Sequence, residues 1–343
     1  DLSDQSQSRR GDRERDMPVR AAARNCPLRR VFELRPCRSL LHISLTLGLL
    51  CVGLGNLAAG ADEARAILAK SGITGGFVVH VGCGDGQLTG ALRVSDAYVV
   101  HGLDTDAEAV EAARKGIAAM RHGGKLSAAV FDGKHLPYID NMVNLIYCST
   151  RYDVSDAEIM RVLTPRGMAI IVENGQQRTL TKSWPSEYDE WHHYLHDADN
   201  NAVSKDKAIK PPISHLQWRG SPMFSRHHDK SATHLPGLVT AQGRIFYIMD
   251  HGPTASALWP ADVQLVARDA FNGVVLWRKR IEPWIDHLAY GVKQGPAVNP
   301  RRLVAIGDAV YVTLGVTDPV SKLDARTGHV LKVYEGTEKT EEI

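Results

Sequence analysis

Cysteine is scarce in this 343-residue chain: there are five, and three of them (Cys26, Cys37, Cys51) precede residue 62. Only Cys83 and Cys148 remain, which excludes a disulfide framework and a cysteine-based zinc module. Net charge is low as well, since 41 basic side chains against 39 acidic ones give +2, and much of the arginine lies in the first 40 residues. No basic face for nucleic acid is expected, nor any charged tail beyond that leader. An H-E-x-x-H motif is absent, and no metal site is assigned. The apolar run Leu40–Leu54 is short for a membrane span and is diluted by His42, Ser44 and Thr46. What is present is globular in character: 43% hydrophobic and 23% charged residues, with length for two domains.

Arg29, Arg30, Arg35 and Arg38 precede that apolar run, and Ala59-Gly60-Ala61 follows it. Basic flank, short apolar core and A-x-A ending are the parts of a secretory signal. Residues 1–61 are therefore expected to be a leader cleaved near Ala61, sending the chain to the periplasm or cell envelope. Membrane contact is expected only through this leader, and a retained anchor is the alternative.

Residues 62–175 alternate between strand-like and helix-like stretches. Phe77–Val81 is an apolar strand that runs into Gly82-Cys83-Gly84-Asp85-Gly86, and a helix opens at Gln87. Glycines at 82, 84 and 86 permit a sharp turn and close approach of a ligand to the backbone. Further strands are expected at Ala97–Leu103, Leu126–Phe131, Met142–Tyr147 and Met168–Val172, with helices at Ala64–Ala69, Ala107–Met120 and Asp156–Leu163. Thr105 or Asp106 and Ser155 supply caps, and Thr164-Pro165-Arg166-Gly167 stops the last helix. This order predicts a parallel, doubly wound α/β sheet of Rossmann type. Ligands of such sheets bind beyond the strand C-termini at the switch point, where the glycine loop falls. Asp104, ending the second strand, is placed to accept ribose hydroxyls. Asp132, ending the third, is placed to reach an adenine amino group.

The run Val79–Leu88, Gly102-Leu103-Asp104, Phe131-Asp132-Gly133 with Leu136-Pro137-Tyr138, Leu145–Cys148 and Glu158–Gly167 resembles the class I S-adenosylmethionine-dependent methyltransferases. The resemblance implies that Gly82, Cys83, Gly84 and Gly86 wrap the methionine end of S-adenosyl-L-methionine. It also implies that Asp104 holds the ribose and that Asp132 with Gly133 meets the adenine. Three positions depart from the family: His80 and Asn144 stand where it usually has acids, and Gly175–Ser186 lacks the pattern of its closing hairpin. The sheet is thus expected to end after the fifth strand. No catalytic base is assigned, and the departures leave open both methyl transfer and a fold kept without turnover. Cys83 and Cys148 follow neighbouring strands, which leaves open both a bond between them and two buried free thiols.

Periodicity disappears over 176–235, a connecting segment rich in Trp and His; eight of the chain's 15 histidines lie between His192 and His251. Were 189–197 helical, His192 and His196 would share a face at zinc-compatible spacing. Packing across a domain interface is the other reading.

Residues 236–343 contain a duplication. Gly243–Ile248 with Leu265–Trp277, and Gly307–Val312 with Ser321–Leu331, each read turn, strand, strand, Asp-Ala-x-x-Gly turn, strand. Such turns flanked by alternating apolar residues predict hairpins. The pattern resembles the pyrroloquinoline-quinone-like repeat, which implies four-stranded blades of an incomplete all-β propeller. Pyrroloquinoline quinone itself is not expected, because no calcium site, catalytic Asp or vicinal disulfide can be placed. The whole chain resembles exported fusions of a methyltransferase-like domain with a quinoprotein-like propeller found in Planctomycetes-type bacteria. Three functions remain open: methyl transfer to an unassigned acceptor, a non-catalytic envelope protein binding a small-molecule or protein ligand through its blades, and a quinone-dependent oxidoreductase.

Overall fold

The computed structural model describes residues 60–120, 124–213, 216–221, 237–253, 255, 259–282 and 299–343. The leader before residue 60 and residues 222–236 of the connecting segment and its junction lie outside the described residues. No described helix is long and apolar enough to cross a membrane.

Residues 60–71 form helix α1. It is followed by β1 (Gly76–Val81), α2 (Gln87–Ala91), β2 (Tyr98–Asp104), α3 (Ala107–Ala119), β3 (Leu126–Val130), β4 (Val143–Cys148), α4 (Asp156–Val162), β5 (Leu163–Glu173) and β6 (Gln176–Thr181). The strands make a six-stranded sheet in the order β3-β2-β1-β4-β5-β6. Its first five strands run parallel, so the order reverses between β1 and β4. Alternation along the strands explains the two layers. Val78, Leu145 and Ile170 pack with Ala64, Ile67 and Leu68 of α1. Their neighbours Val79, Val81, Ile146 and Ile171 pack with Ile159 and Val162 of α4. Because both faces are covered, β1 and β4 read as nearly unbroken apolar runs. Asp106 caps α3 by accepting from the Glu108 amide, and Ser155 caps α4 by accepting from the Glu158 amide.

Two expectations are corrected here. The sheet does not end at its fifth strand, because β6 pairs antiparallel with β5 from Glu173↔Gln176 to Met168↔Thr181. Gln176–Thr181 shows no apolar alternation since it is an edge strand with no residue fully buried. Ion pairs hold it in place: Arg178 bonds Glu173 at 3.0 Å and Asp156 at 2.8 Å, and Arg151 bonds Asp156 at 2.6 Å. The segment Thr164–Gly167 does more than stop α4, for it lies inside β5. Its extra residues form an irregularity between the pairs Val143↔Leu163 and Leu145↔Met168.

Two four-stranded antiparallel sheets follow. The first has β7 (Gly237–Ala241), β8 (Arg244–Asp250), β9 (Val263–Asp269) and β10 (Val275–Arg280); the second has β11 (Leu303–Ile306), β12 (Ala309–Thr313), β13 (Val320–Asp324) and β14 (Val330–Tyr334). One core joins them, built from Phe246, Ile248, Leu265 and Ala267 of the first and Leu303, Val310, Val312 and Leu323 of the second. The inward pair is Phe246↔Ala267 in one sheet and Val310↔Leu323 in the other. Counted back from the turn aspartates, Ala267 precedes Asp269 by two residues and Leu323 precedes Asp324 by one. Side chains alternate at period two, so the sheets bury opposite faces, as layers stacked front to back must.

The duplicated turns are made by the same bonds. Asp269 Oδ1 accepts from the amides of Phe271 (2.9 Å) and Asn272 (3.0 Å), and Asp324 Oδ1 accepts from those of Arg326 (2.9 Å) and Thr327 (2.9 Å). An indole covers each closing glycine: Trp218 Nε1 donates to the Ala270 carbonyl at 2.8 Å, and Trp277 Nε1 donates to the Ala325 carbonyl at 3.0 Å.

The segment 189–197 is not a helix. It folds as a tight turn in which the amides of His192 (2.9 Å) and His193 (3.0 Å) donate to the His196 carbonyl. His196 is buried and bonded through Nε2 to Asp189 at 2.7 Å, so its spacing from His192 has no ligand geometry. The Thr240 amide of β7 donates to the Trp191 carbonyl and the Trp191 amide to the Thr240 hydroxyl, and the His192 carbonyl accepts from the Ala305 amide of β11. This stretch therefore ties the two antiparallel sheets together. Among the described residues no group of three or more His, Cys, Asp or Glu is arranged to hold a metal ion.

Candidate functional site

The glycine loop lies at the C-terminal end of β1, at the point where strand order reverses. Its backbone is bonded inward: the amides of Gly82 (2.8 Å) and Cys83 (3.1 Å) donate to the Leu103 carbonyl, and that of Gly86 donates to Cys83 (2.9 Å). Two glycines are required by crowding. At Gly82 (φ +81) a Cβ would lie 2.8 Å from the Thr150 amide nitrogen, and at Gly86 (φ +78) one would lie 2.9 Å from the Ala113 Cβ. At Gly84 nothing stands within 4 Å of such an atom, so the middle of the loop opens onto free space.

Asp104 closes the loop from the end of β2. Its Oδ2 accepts from the Gly84 amide at 3.0 Å, and its Oδ1 accepts from the Tyr152 hydroxyl at 2.7 Å and the Asp106 amide at 3.2 Å. Burial pushes this carboxyl up, but the bonds from Tyr152, Gly84, Asp106 and Thr105 together outweigh burial and hold it below its ordinary value. It is thus an anion, 6% exposed, lying directly beneath Gly84. Gly133 belongs to the same neighbourhood: a Cβ there would lie 3.1 Å from the Thr105 methyl and 3.7 Å from the Tyr152 Cβ.

Asp132 is placed differently. It caps its own loop, accepting from the amides of Lys134 (2.8 Å) and His135 (2.7 Å) and from His135 Nδ1 (2.6 Å). Those bonds keep its carboxyl well below the usual range. The carboxylate is therefore spent on its own turn, and the position near Tyr152 is held by Gly133.

Beneath the loop sits His80, 2% exposed, with Nδ1 2.8 Å from the Thr89 hydroxyl and Nε2 3.1 Å from the Ser149 hydroxyl. Burial lowers its pKa to about 4, against a smaller opposing pull from Asp104. At neutral pH it is an uncharged spacer joining β1, α2 and the loop after β4. Asn144, the other departure from the family pattern, lies at the opposite end of the sheet, near the start of β4. There it donates to Asp269 Oδ2 at 2.7 Å and accepts from Asn272 Nδ2 at 2.7 Å and the Phe77 amide at 2.7 Å. Its amide seats the α/β sheet on the first duplicated turn and takes no part in the loop.

Cys83 and Cys148 are both buried free thiols. They belong to different core clusters, Cys83 with Val110, Ala113 and Ala128, and Cys148 with Val81 and Ile146. Burial pushes them up to about 11 and about 12 respectively. Cys83 lines the loop as an apolar filler against Gly102, where a Cβ would lie 2.8 Å from its own Cβ.

Tyr152, with φ +54, is the residue that sequence reasoning missed. No motif marks it, and only its short link to β4 placed it near the strand ends.

Residues 78–167 match the family model of a methyltransferase domain. The fold is similar to a methyltransferase structure from Methanococcus maripaludis described as putative and S-adenosyl-L-methionine-dependent (23% identity, 40% of this chain, 67% of that one, TM-score 0.32). It is similar also to the putative methyltransferase complexed with the Trm112 activator from Haloferax volcanii (29%, 34%, 55%, 0.28) and to a SAM-dependent methyltransferase from Aquifex aeolicus (22%, 32%, 62%, 0.29). The matched region thus spans between 55% and 67% of those chains. No curated protein matches the chain.

Residues 78–167 are thus similar to a methyltransferase domain, and the cofactor such a domain implies is S-adenosyl-L-methionine. The residues fit it at the loop, where Gly84 opens onto free space above the buried anion of Asp104. They fit less well at Asp132, which already accepts three bonds from its own turn.

Proposed function

We propose that residues 60–181 bind S-adenosyl-L-methionine across the glycine loop and present it for methyl transfer. The observation that carries this reading is the bond from the Gly84 amide to Asp104 Oδ2, which sets an open loop and a buried carboxylate side by side at the switch point. S-adenosyl-L-methionine, when bound, supplies an electrophilic methyl group. The chain's own part is to hold donor and acceptor in line, which can lower a barrier by about 7–11 kcal/mol without an acid or base. Gly82, Cys83, Gly84 and Gly86 shape the surface for the methionine end, Asp104 takes the ribose hydroxyls, and Gly133 with Asp132 borders the adenine.

The two antiparallel sheets are read as neighbouring blades of a propeller-like binding module for a small-molecule or protein ligand. Their shared core, opposite buried faces and repeated indole-capped turns support this. The composition of residues 29–61 supports export to the envelope.

A second reading, a ligand-binding or relic domain without turnover, is favoured by Tyr152, whose hydroxyl occupies Asp104 Oδ1, and by the neutral His80 beneath the loop. Calorimetry with S-adenosylmethionine and S-adenosylhomocysteine tests the first reading. Micromolar binding that is lost in Asp104→Ala is expected; a wild-type protein that takes up neither compound refutes it.

A further inference from the structure

A cavity of about 270 Å³ opens where the α/β sheet meets the two duplicated turns. It lies at the N-terminal edge of that sheet, the end opposite the glycine loop, with Thr74 just before β1, Asn144 near the start of β4 and Gly167 inside β5 on its wall. Its size is close to the lower end of small-molecule sites, about 300 Å³.

Three arginines line it: Arg166 from β5, Arg244 from β8 and Arg326 from the second turn. Among the described residues no carboxylate pairs with Arg166, whose guanidinium lies 4.8 Å over the Trp184 ring. Arg326 donates to the Gly72 carbonyl and pairs with no described carboxylate either. Arg244 meets Asp308 at 2.5 Å, yet its Nε is buried with no hydrogen-bond partner. The remaining wall carboxylate, Asp269, is fully engaged by Asn144 and two backbone amides. Counting side chains, three guanidiniums face two carboxylates, Asp269 and Asp308, so the wall keeps an excess of guanidinium, and Asp308 is 67% exposed. Arg166 is also held at φ +67, a backbone state that ordinary side chains avoid and that persists where the surroundings impose it.

Arg166 is exposed and Arg326 half-buried, so both can reach a ligand from solvent, while the buried Arg244 Nε is costly to leave without an acceptor. Guanidinium forks are matched by carboxylate and phosphoryl oxygens, which take two parallel N–H bonds. We propose that this cavity is a binding site for a small oxyanion, a phosphomonoester or short dicarboxylate, held by Arg166, Arg244 and Arg326. Since both duplicated turns and the α/β sheet contribute to the wall, an occupant would also bind the two parts together. The site is separate from the glycine loop and does not depend on methyl transfer.

Calorimetry of the full chain with inorganic phosphate and with succinate, at low salt, tests this. One site is expected, with binding weakened at least tenfold in Arg166→Gln, since among the described residues no carboxylate pairs with Arg166. Arg244→Lys keeps the charge beside Asp308 but removes the buried Nε donor, so it should weaken binding while leaving the melting midpoint near wild type. Asp308→Asn should tighten binding severalfold by removing the competing carboxylate, and Asp104→Ala should leave it unchanged. Preference between the two probes identifies the oxyanion. No saturable binding of either probe at millimolar concentration, or wild-type binding in both arginine variants, overturns the proposal.

Discussion

Tyr152 donates its hydroxyl to Oδ1 of Asp104 at 2.7 Å, on the side of the carboxylate away from the Gly84 amide. The carboxylate on which a bound ribose would depend is therefore already supplied with donors, and Tyr152 competes with any diol that approaches it. In Tyr152→Phe the ring's packing against Phe131 is kept while the competing hydroxyl is lost. S-adenosylhomocysteine should then bind severalfold more tightly by calorimetry. The same change should cost about 1 kcal/mol of stability, the net worth of one hydrogen bond. Unchanged or weaker binding would show that Tyr152 helps to hold the ligand.

His80 gives the fold a dependence on acid. Its pKa is about 4 in the folded chain and about 6.5 unfolded. Between those values the unfolded chain binds the extra proton, so stability falls as pH is lowered from about 6.5 towards 4 and is level above that window. Near pH 4.5 the loss is about 2–3 kcal/mol. Urea midpoints at pH 7 and pH 4.5 should differ clearly in the wild type and much less in His80→Gln. An equal fall in both proteins would assign the effect to other groups.

Asn144 acts as a joint between domains. It donates to Asp269 Oδ2 at 2.7 Å, and burial raises the Asp269 pKa in spite of the bonds it accepts. Asn144→Asp restores the acid that the family pattern has at this position, but it sets two carboxylates face to face in a buried junction. A loss of about 3 kcal/mol at pH 7 is expected, as for other unpaired buried charges. The folded pair would retain a shared proton that the unfolded chain gives up, so the deficit should shrink as pH falls towards 5. A variant as stable as wild type at pH 7 would mean the junction opens to water.

The α/β domain was legible because its strands are buried on both faces and its caps and glycines are local signals: Ser155, Asp106 and Gly82–Gly86 sit where the pattern put them. β6 was not legible, because an edge strand pinned by Arg178 to Glu173 and Asp156 needs no apolar alternation. His192 and His196 misled for a related reason. A helical spacing has meaning only in a helix, and Asp189, which accepts from His196 and from the Lys205 amide, folds that segment into a turn. Asn144 stands out in the sequence as a departure from the family pattern, and its long-range contacts with Asp269 and Asn272 give it a place at a different surface. Tyr152 reaches Asp104 across 48 residues of chain, a relationship no spacing rule encodes.

The duplicated turns can be tested through their glycines. Gly328 has φ +72, and a Cβ on it would lie 2.7 Å from the Trp277 ring; Gly307 has φ +56 and nothing within 4 Å. Both alanine substitutions incur the left-handed backbone penalty of about 1–2 kcal/mol. Only Gly328→Ala must also displace an indole that is bonded to the Ala325 carbonyl and packed against the core shared by both antiparallel sheets. Gly307→Ala should therefore lower stability by about 1 kcal/mol and Gly328→Ala by about 3 kcal/mol. Trp277→Ala removes the obstruction, so in that background the cost of Gly328→Ala should fall to that of Gly307→Ala. Costs of Gly328→Ala and Trp277→Ala that simply add would mean the glycine serves its turn alone. Coupling of more than about 1 kcal/mol would mean that the repeated turn and the indole of the preceding sheet form one unit, which is what fixes the stacking of one sheet on the next.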